Sequence, residues 1–261
     1  MQTVLFTSTI FGPIHSRRLG TSLGVNLSPS DGKVCTFDCL YCEAGFNAQG
    51  PGTSGLPSRE DVAMLLERKL QDMRAQGMSL DTITFSGNGE PTVNPAFPEI
   101  VGDVLALRDK YYPQAVVSVL CNSTRLWDER VAEAILKVDN PILKLDSAVD
   151  ATMRLIDRPA SPGFNVSALI DRLAELAAAS DKVIIQTMML RGEYDGHVVD
   201  NTTSAEVEAL AEAYRRIRPR EVMLYSIDRQ TPARQLTKVS REDLDEFAAR
   251  FRADDITVQV N

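Results

Sequence analysis

Cys35-Thr36-Phe37-Asp38-Cys39-Leu40-Tyr41-Cys42 sets three cysteines at C-x3-C-x2-C spacing, and the chain has only one other, Cys121. Three thiolates on one short loop can each hold one iron of a [4Fe–4S] cube. The fourth iron then has no protein ligand and stays open to a substrate or cofactor. A cube that only carries electrons normally has four cysteines, so the open position points to chemistry. Zinc would need two paired C-x2-C units or histidines at matching spacing. Both histidines, His15 and His197, lie outside the loop. The plain alternative is three incidental thiols in a reducing compartment; the spacing, with Phe37 and Tyr41 interleaved, disfavours it.

With 261 residues and a formal net charge of −8, the chain can form one large domain or two small ones, long enough to bury a sizeable core. A single domain over residues 1–261 is expected, with 1–23 as an N-terminal extension packed on it. No apolar run reaches the ~18 residues that a membrane crossing needs. Residues 1–19 hold no basic segment followed by a long apolar stretch, so no secretory signal is expected. The expected compartment is the cytosol, where thiols stay reduced and available to iron. The acidic balance argues against a broad basic footprint for nucleic acid. The basic run Arg215-Arg216-Ile217-Arg218-Pro219-Arg220 reads mainly as a solvated helix end, where cations suit the dipole.

Short β-rich runs alternate with amphipathic ones. Strands are expected at 24–27, 82–86, 115–121, 142–146, 182–189, 221–227 and 256–260, and helices at 58–76, 95–111, 127–137, 166–179, 204–217 and 240–252. Cap signals open three of them: Ser58 with Asp61, Ser204 with Val207, and Ser240 with Asp243. In the first helix Val62, Leu65, Leu66 and Leu70 fall on one face. This alternation implies parallel βαβ units with right-handed crossovers, wound as a barrel or as an open α/β sheet. The Gly/Pro-rich stretch 45–57 reads as a connector or as a lid that orders with substrate. The stretch 191–203 reads as irregular and, following a strand, belongs at the C-terminal mouth of a parallel fold.

The cysteine motif resembles the C-x3-C-x-aromatic-C signature of the radical S-adenosylmethionine (SAM) enzymes. Gly12-Pro13-Ile14-His15-Ser16-Arg17-Arg18-Leu19-Gly20, Ser22-Leu23-Gly24-Val25-Asn26-Leu27 and Phe85-Ser86-Gly87-Asn88-Gly89-Glu90-Pro91-Thr92 resemble a subgroup of Fe–S oxidoreductases similar to the core of the wyosine-type tRNA-modifying synthases. The resemblance covers about residues 12 to 159. It implies a partial (β/α)6 barrel, a [4Fe–4S] cluster held by Cys35, Cys39 and Cys42, and SAM on the open iron. Reductive cleavage would give a 5′-deoxyadenosyl radical that abstracts hydrogen from substrate. The resemblance further implies SAM contacts from Tyr41, from Gly87, Asn88, Gly89 and Glu90, and from Asn122 and Ser123 at the next strand end. Lys144, Asp146 and Gln186 are implied as contacts to SAM or substrate. Asn88 stands where the family has the second glycine of a pair. A one-electron donor such as flavodoxin or ferredoxin is implied as partner, with a substrate that is RNA or a small molecule. A non-catalytic Fe–S protein is the alternative from another class.

The residues also have plainer readings. Gly87 and Gly89 allow close backbone approach to a ligand, or serve a tight turn before Pro91. Asn122 and Ser123 suit any strand-ending turn. Cys121 ends an apolar run and reads as a small core residue. Lys144 and Asp146 point to one face of a strand: if that face lines a barrel, both need partners. Arg17 and Arg18 are either an anchor for an anionic ligand or a structural ion pair.

Overall fold

A computed structural model describes residues 4–16 and 20–261, so Arg17 and Arg18 lie outside the described residues. Along the chain run β1 (Ile10–Ser16), β2 (Gly20–Val25), α1 (Arg59–Ala75), β3 (Thr82–Phe85), α2 (Phe97–Tyr111), β4 (Val116–Cys121), α3 (Glu129–Lys137), β5 (Asn140–Lys144), α4 (Asp150–Asp157), α5 (Val166–Ala179), β6 (Ile184–Tyr194), β7 (His197–Asp200), α6 (Ser204–Ile217), β8 (Glu221–Ser226), β9 (Leu236–Lys238), α7 (Arg241–Arg252) and β10 (Val258–Val260). Residues 10–16 of the expected extension are β1, and 20–23 open β2.

Strands β2, β3, β4, β5, β6, β8 and β10 are parallel neighbours in that order. Each crossover therefore steps the same way along the sheet, which winds a barrel and does not double back as an open sheet would. β1 lies antiparallel on β2, and no pairing joins it to β10 among the described residues. The result is a partial α/β barrel of six strand–helix units closed off by β10.

Period-two alternation sorts the strand residues. Leu120, Ile142, Ile184 and Met223 form a small inner cluster, while Leu143, Ile185, Val222 and Leu224 join the large core under the helices. In α1, Ser58 accepts from the Asp61 amide at 3.1 Å, and Val62, Leu66, Leu70 and Met73 are the buried face. Leu65, expected there, is 37% exposed. The cap of α6 is Thr203, which accepts from the Glu206 amide at 3.3 Å, one residue before the expected Ser204.

The stretch 191–203 is not irregular. β6 runs on to Tyr194 and turns back into β7 through Asp195 and Gly196, both at positive φ (52° and 75°). An Asp-Gly pair with both residues left-handed is the turn that suits a right-twisted hairpin. No described helix is long and apolar enough to cross a membrane.

Where β1 meets β2, Phe11 lies opposite Gly24 and stacks on Phe6 with ring centroids 3.7 Å apart. A Cβ on Gly24 would come within 2.0 Å of the Phe11 ring. Gly24→Val is expected to displace that ring and to lower stability by about 1–3 kcal/mol, as overpacking does. Denaturant unfolding measures the loss, and hydrogen exchange should show it concentrated in residues 10–16.

Candidate active site

Leu120, Ile142 and Ile184 face the barrel interior, so the residues two steps on, Asn122, Lys144 and Gln186, face it at the C-terminal mouth. Asp146 and, on β8, Tyr225 lie one level further out. The cluster loop crosses this mouth. Its backbone is held on two sides. Val34 donates to the Asn88 carbonyl at 3.1 Å and accepts from the Glu90 amide at 3.1 Å. On the other side Asp38 donates to Asp157 O and Leu40 to Ile156 O, both at 2.9 Å, while Ala160 donates to Thr36 O at 2.9 Å.

Both glycines of the Gly87-Asn88-Gly89-Glu90 loop are needed, though their close neighbours are protein. A Cβ on Gly89 (φ 145°) would stand 1.8 Å from the Val34 carbonyl, and one on Gly87 (φ 152°) 2.2 Å from Asn26 Oδ1. Asn88 is fully buried and committed: its amide donates to Phe6 O (2.8 Å) and Pro29 O (3.0 Å), and its Oδ1 accepts from the Phe6 amide (2.8 Å). Asn26 Oδ1 accepts from the amides of Ser28 and Asn88, which leaves Asn26 Nδ2 buried without a protein acceptor. Glu90, 3% exposed, accepts from Thr92 Oγ1 (2.5 Å) and the Asn122 amide (2.6 Å), and burial raises its pKa against those bonds.

Cys39 is buried, and Cys35 and Cys42 are half-buried. Burial, with Glu90 adding to it, pushes the Cys35 thiol up to about 11. Burial lifts Cys39 well above the thiol range, and Lys144 is the largest influence opposing it. Lys144 Nζ sits 3.1 Å from Cys39 Sγ, 2.8 Å from Asp146 Oδ2 and 2.5 Å from Asp157 Oδ1, and it donates to the Tyr41 hydroxyl. Tyr41 in turn donates to Asp146. Burial works against the Lys144 ammonium, but Asp146, Asp157 and Cys39 outweigh it and hold its pKa well above the lysine range. Asp157, buried, is raised to about 7 even with Lys144 opposing.

A second buried cation, Lys33, carries no local sequence signal. Lys33 is 3% exposed, donates to Gly45 O at 2.8 Å and lies 3.7 Å from Asp38. Cys42, Cys35 and Cys39 are the charges that act on it, and they raise its pKa against the effect of burial. Asn122 Nδ2 reaches Thr36 Oγ1 (2.9 Å) and Cys35 Sγ (3.5 Å), while Ser123 donates to Lys144 O (3.2 Å). Gln186 is half-buried, level with Lys144. Cys121 points away from the interior into the main core, its thiol raised first by burial and then by Glu90.

Over the mouth, Arg158 lies on Phe46 (4.9 Å) and Tyr194 (5.4 Å) and meets Asp38 at 3.5 Å. It ties the loop 45–57 to the β6–β7 hairpin. That loop is itself pinned, with Lys33 donating to Gly50 O and Gly52 donating to Lys33 O, as a connector would be.

The described residues hold no group of three or more His, Cys, Asp or Glu side chains converging on one metal ion. A cube needs no such convergence, because each thiolate takes its own iron. Three thiols facing two buried ammonium groups, Lys33 and Lys144, are a donor set that fits an anionic iron–sulfur centre.

Residues 30–205 match the Radical SAM superfamily model, so the chain belongs to that superfamily. It is 30% identical over 193 residues to the UPF0026 protein MJ1312 of Methanocaldococcus jannaschii, covering 74% of this chain and 52% of that one. The chain spans between 34% and 52% of the length of two curated relatives that it matches. The fold is shared with a radical SAM methyltransferase from Sphaerobacter thermophilus (TM-score 0.70, 18% identity, 92% of this chain and 65% of that one). It is also shared with TYW1 with a lysine-pyruvate adduct bound (TM-score 0.59, 14% identity, 90% and 75%).

Two outcomes follow from this packing. Gly89→Ala should push the Val34 carbonyl, and with it the cluster loop, off the loop at residues 87–90. Anaerobically reconstituted protein should then lose most of its iron and visible absorption, while Gly102→Ala, with open space around its Cβ, retains both. Lys144→Met strands Asp146 and Asp157 without their cation. It should cost about 3–5 kcal/mol of stability, as removal of one partner of a buried ion pair does, and denaturant unfolding before cluster loading measures it.

Proposed function

We propose that this protein is a radical SAM enzyme that abstracts hydrogen from an organic substrate, with Cys35, Cys39 and Cys42 as the ligands of one [4Fe–4S] cluster. The observation that carries this reading is the joining of the cysteine loop to the loop at residues 87–90 by paired backbone, with Asn122 at the end of β4 bonded to both. When bound, the cluster and SAM supply a 5′-deoxyadenosyl radical after one-electron reduction.

The chain's own residues bind, orient and exclude water. The space between the cysteines and residues 87–90 would hold SAM. Gly87, Gly89 and Glu90 hold this loop. Asn88 contributes through the packing of its side chain, since its polar atoms are taken. Tyr41, Asn122, Ser123, Lys144, Asp146 and Gln186 line the rest. Lys144 offers the positive charge for a carboxylate, and Asp146 and Tyr41 hold it in place. Water exclusion comes from Phe46, Tyr194 and Arg158 over the mouth. The reductant is a one-electron donor such as flavodoxin or ferredoxin, and the setting is the cytosol.

A second reading, modification of a tRNA or nucleotide, is supported by the resemblance of the motifs at residues 12–27 and 85–92 to the wyosine-type tRNA-modifying synthases. The net charge of −8 weighs against wide contact with RNA.

Reconstituted protein should hold about four irons per chain. With SAM and dithionite it should form 5′-deoxyadenosine and methionine. Cys39→Ala should remove both the absorption and the product, whereas Cys121→Ala keeps the cluster. Equal product from wild type and Cys39→Ala, read by chromatography, would refute the assignment.

A further inference from the structure

Lys144 has more acceptors than protons. An ammonium carries three N–H bonds. Around its Nζ stand Asp157 Oδ1 at 2.5 Å, Asp146 Oδ2 at 2.8 Å, Cys39 Sγ at 3.1 Å and the Tyr41 hydroxyl oxygen, four acceptors among the described residues. Tyr41 gives its own proton to Asp146, so towards Lys144 its oxygen acts as an acceptor. The site is dry. Asp146 and Asp157 are buried, Lys144 is 12% exposed, and the rings of Tyr41 and Phe37 lie 4.5 and 5.5 Å from Nζ. The two carboxylates make charge-assisted bonds and hold two of the three protons. The third is contested between the Tyr41 oxygen and the Cys39 sulfur, which is the weaker kind of acceptor and stands farther off than either carboxylate. A ring without a hydroxyl would still fill this position, so what the hydroxyl adds is its claim on Lys144.

We propose that Lys144 and Tyr41 together set the reduction potential of the cluster, by dividing one N–H of the ammonium between the Tyr41 oxygen and the Cys39 sulfur. The inference rests on the radical SAM reading, because it takes Cys39 as a cluster ligand. One added electron makes an anionic cluster more anionic. A hydrogen bond from an ammonium to a ligand sulfur favours that form and raises the potential. By keeping part of the contested proton on oxygen, Tyr41 holds the potential down. The reduced cluster is then a stronger one-electron donor, which cleavage of a sulfonium C–S bond requires. The ammonium still lies close enough to offset the charge of a buried thiolate. Both residues act through the sulfur, so they are positioning residues. The electron comes from the external reductant, and Lys144 keeps its protons throughout.

The test is a potentiometric titration of anaerobic, cluster-loaded protein with dithionite and mediators, without SAM, followed by electron paramagnetic resonance. Tyr41→Phe changes no formal charge and releases the contested proton to sulfur. It should favour the reduced cluster about threefold, the scale of part of a charge-assisted hydrogen bond, or about 28 mV upward for one electron. Lys144→Met removes the cation and should disfavour the reduced cluster about tenfold, or about 59 mV downward. Resonance Raman spectra supply a readout that packing alone does not move. The shift of the Fe–S(Cys) bands on transfer to D2O reports N–H bonds to sulfur. It should grow in Tyr41→Phe and shrink in Lys144→Met. An unchanged or lowered potential in Tyr41→Phe overturns the proposal, even where Lys144→Met does not fold. So does a raised potential with an unchanged deuterium shift, which puts the effect on the shape of the cluster loop. Wild-type protein that takes up no cluster refutes the radical SAM reading, whereas a loaded cluster whose potential ignores both variants refutes only the role of Lys144 and Tyr41.

Discussion

The backbone of residues 34–40 is gripped along both sides, and the site depends on that grip. Loops that carry three metal ligands are entropically costly to order. Here the ordering comes from main-chain bonds to residues 88 and 90 on one flank and to residues 156, 157 and 160 on the other. The first flank requires Gly89, because only a residue without Cβ lets the Val34 carbonyl come so close. The second requires α4, a short helix between β5 and α5 whose last residues run beside the loop. Arg158, left-handed at φ 49°, ends that helix and turns its guanidinium toward Asp38 and the aromatic pair above the mouth.

Three sulfurs packed in a low-dielectric mouth set the second constraint. Burial alone would keep the thiols protonated, as the raised values of Cys35 and Cys39 show. Lys33 and Lys144 supply compensating charge from two sides. A buried ammonium is costly by itself, so each has an acid of its own: Asp38 for Lys33, Asp146 and Asp157 for Lys144. Among the described residues, Glu90 is a nearby acid with no ion-pair cation. It is held by hydrogen bonds from Thr92 on one oxygen and from the Asn122 backbone amide on the other, which ties the loop at residues 87–90 to the end of β4.

The seven parallel strands and six of the helices were legible because each carries its own period and most carry a cap. The cysteine trio was legible because its spacing is local. What escaped depended on partners far along the chain. Nothing local to Asn88 says that it will bond Phe6, Asn26 and Pro29, some 60 to 80 residues earlier. Lys33 looked like any lysine, since nothing local says that residues 45–52 will fold over it. The β6–β7 hairpin was different, because its signal was present. Asp195-Gly196 is a hairpin pair, outweighed in the reading by the density of glycine and aspartate around it. Leu65 is exposed for a geometric reason: at the edge of the apolar stripe, whether a residue is covered depends on what packs beside α1.

The cluster loop presents different chemistry on its two faces. Inward, Cys39 and Tyr41 meet a lysine and two carboxylates, a polar lining suited to a charged ligand that must be held still. Outward, Phe37 continues into Phe164 and Trp127. Phe37 joins the two, because its ring also lies 5.5 Å from the Lys144 ammonium; the bends of the loop, and not a strand's alternation, set which way each side chain turns. A loop bonded along both flanks keeps that arrangement. A looser loop with the same three cysteines could place the thiols, but it could not hold an apolar path on one side and a charged pocket on the other.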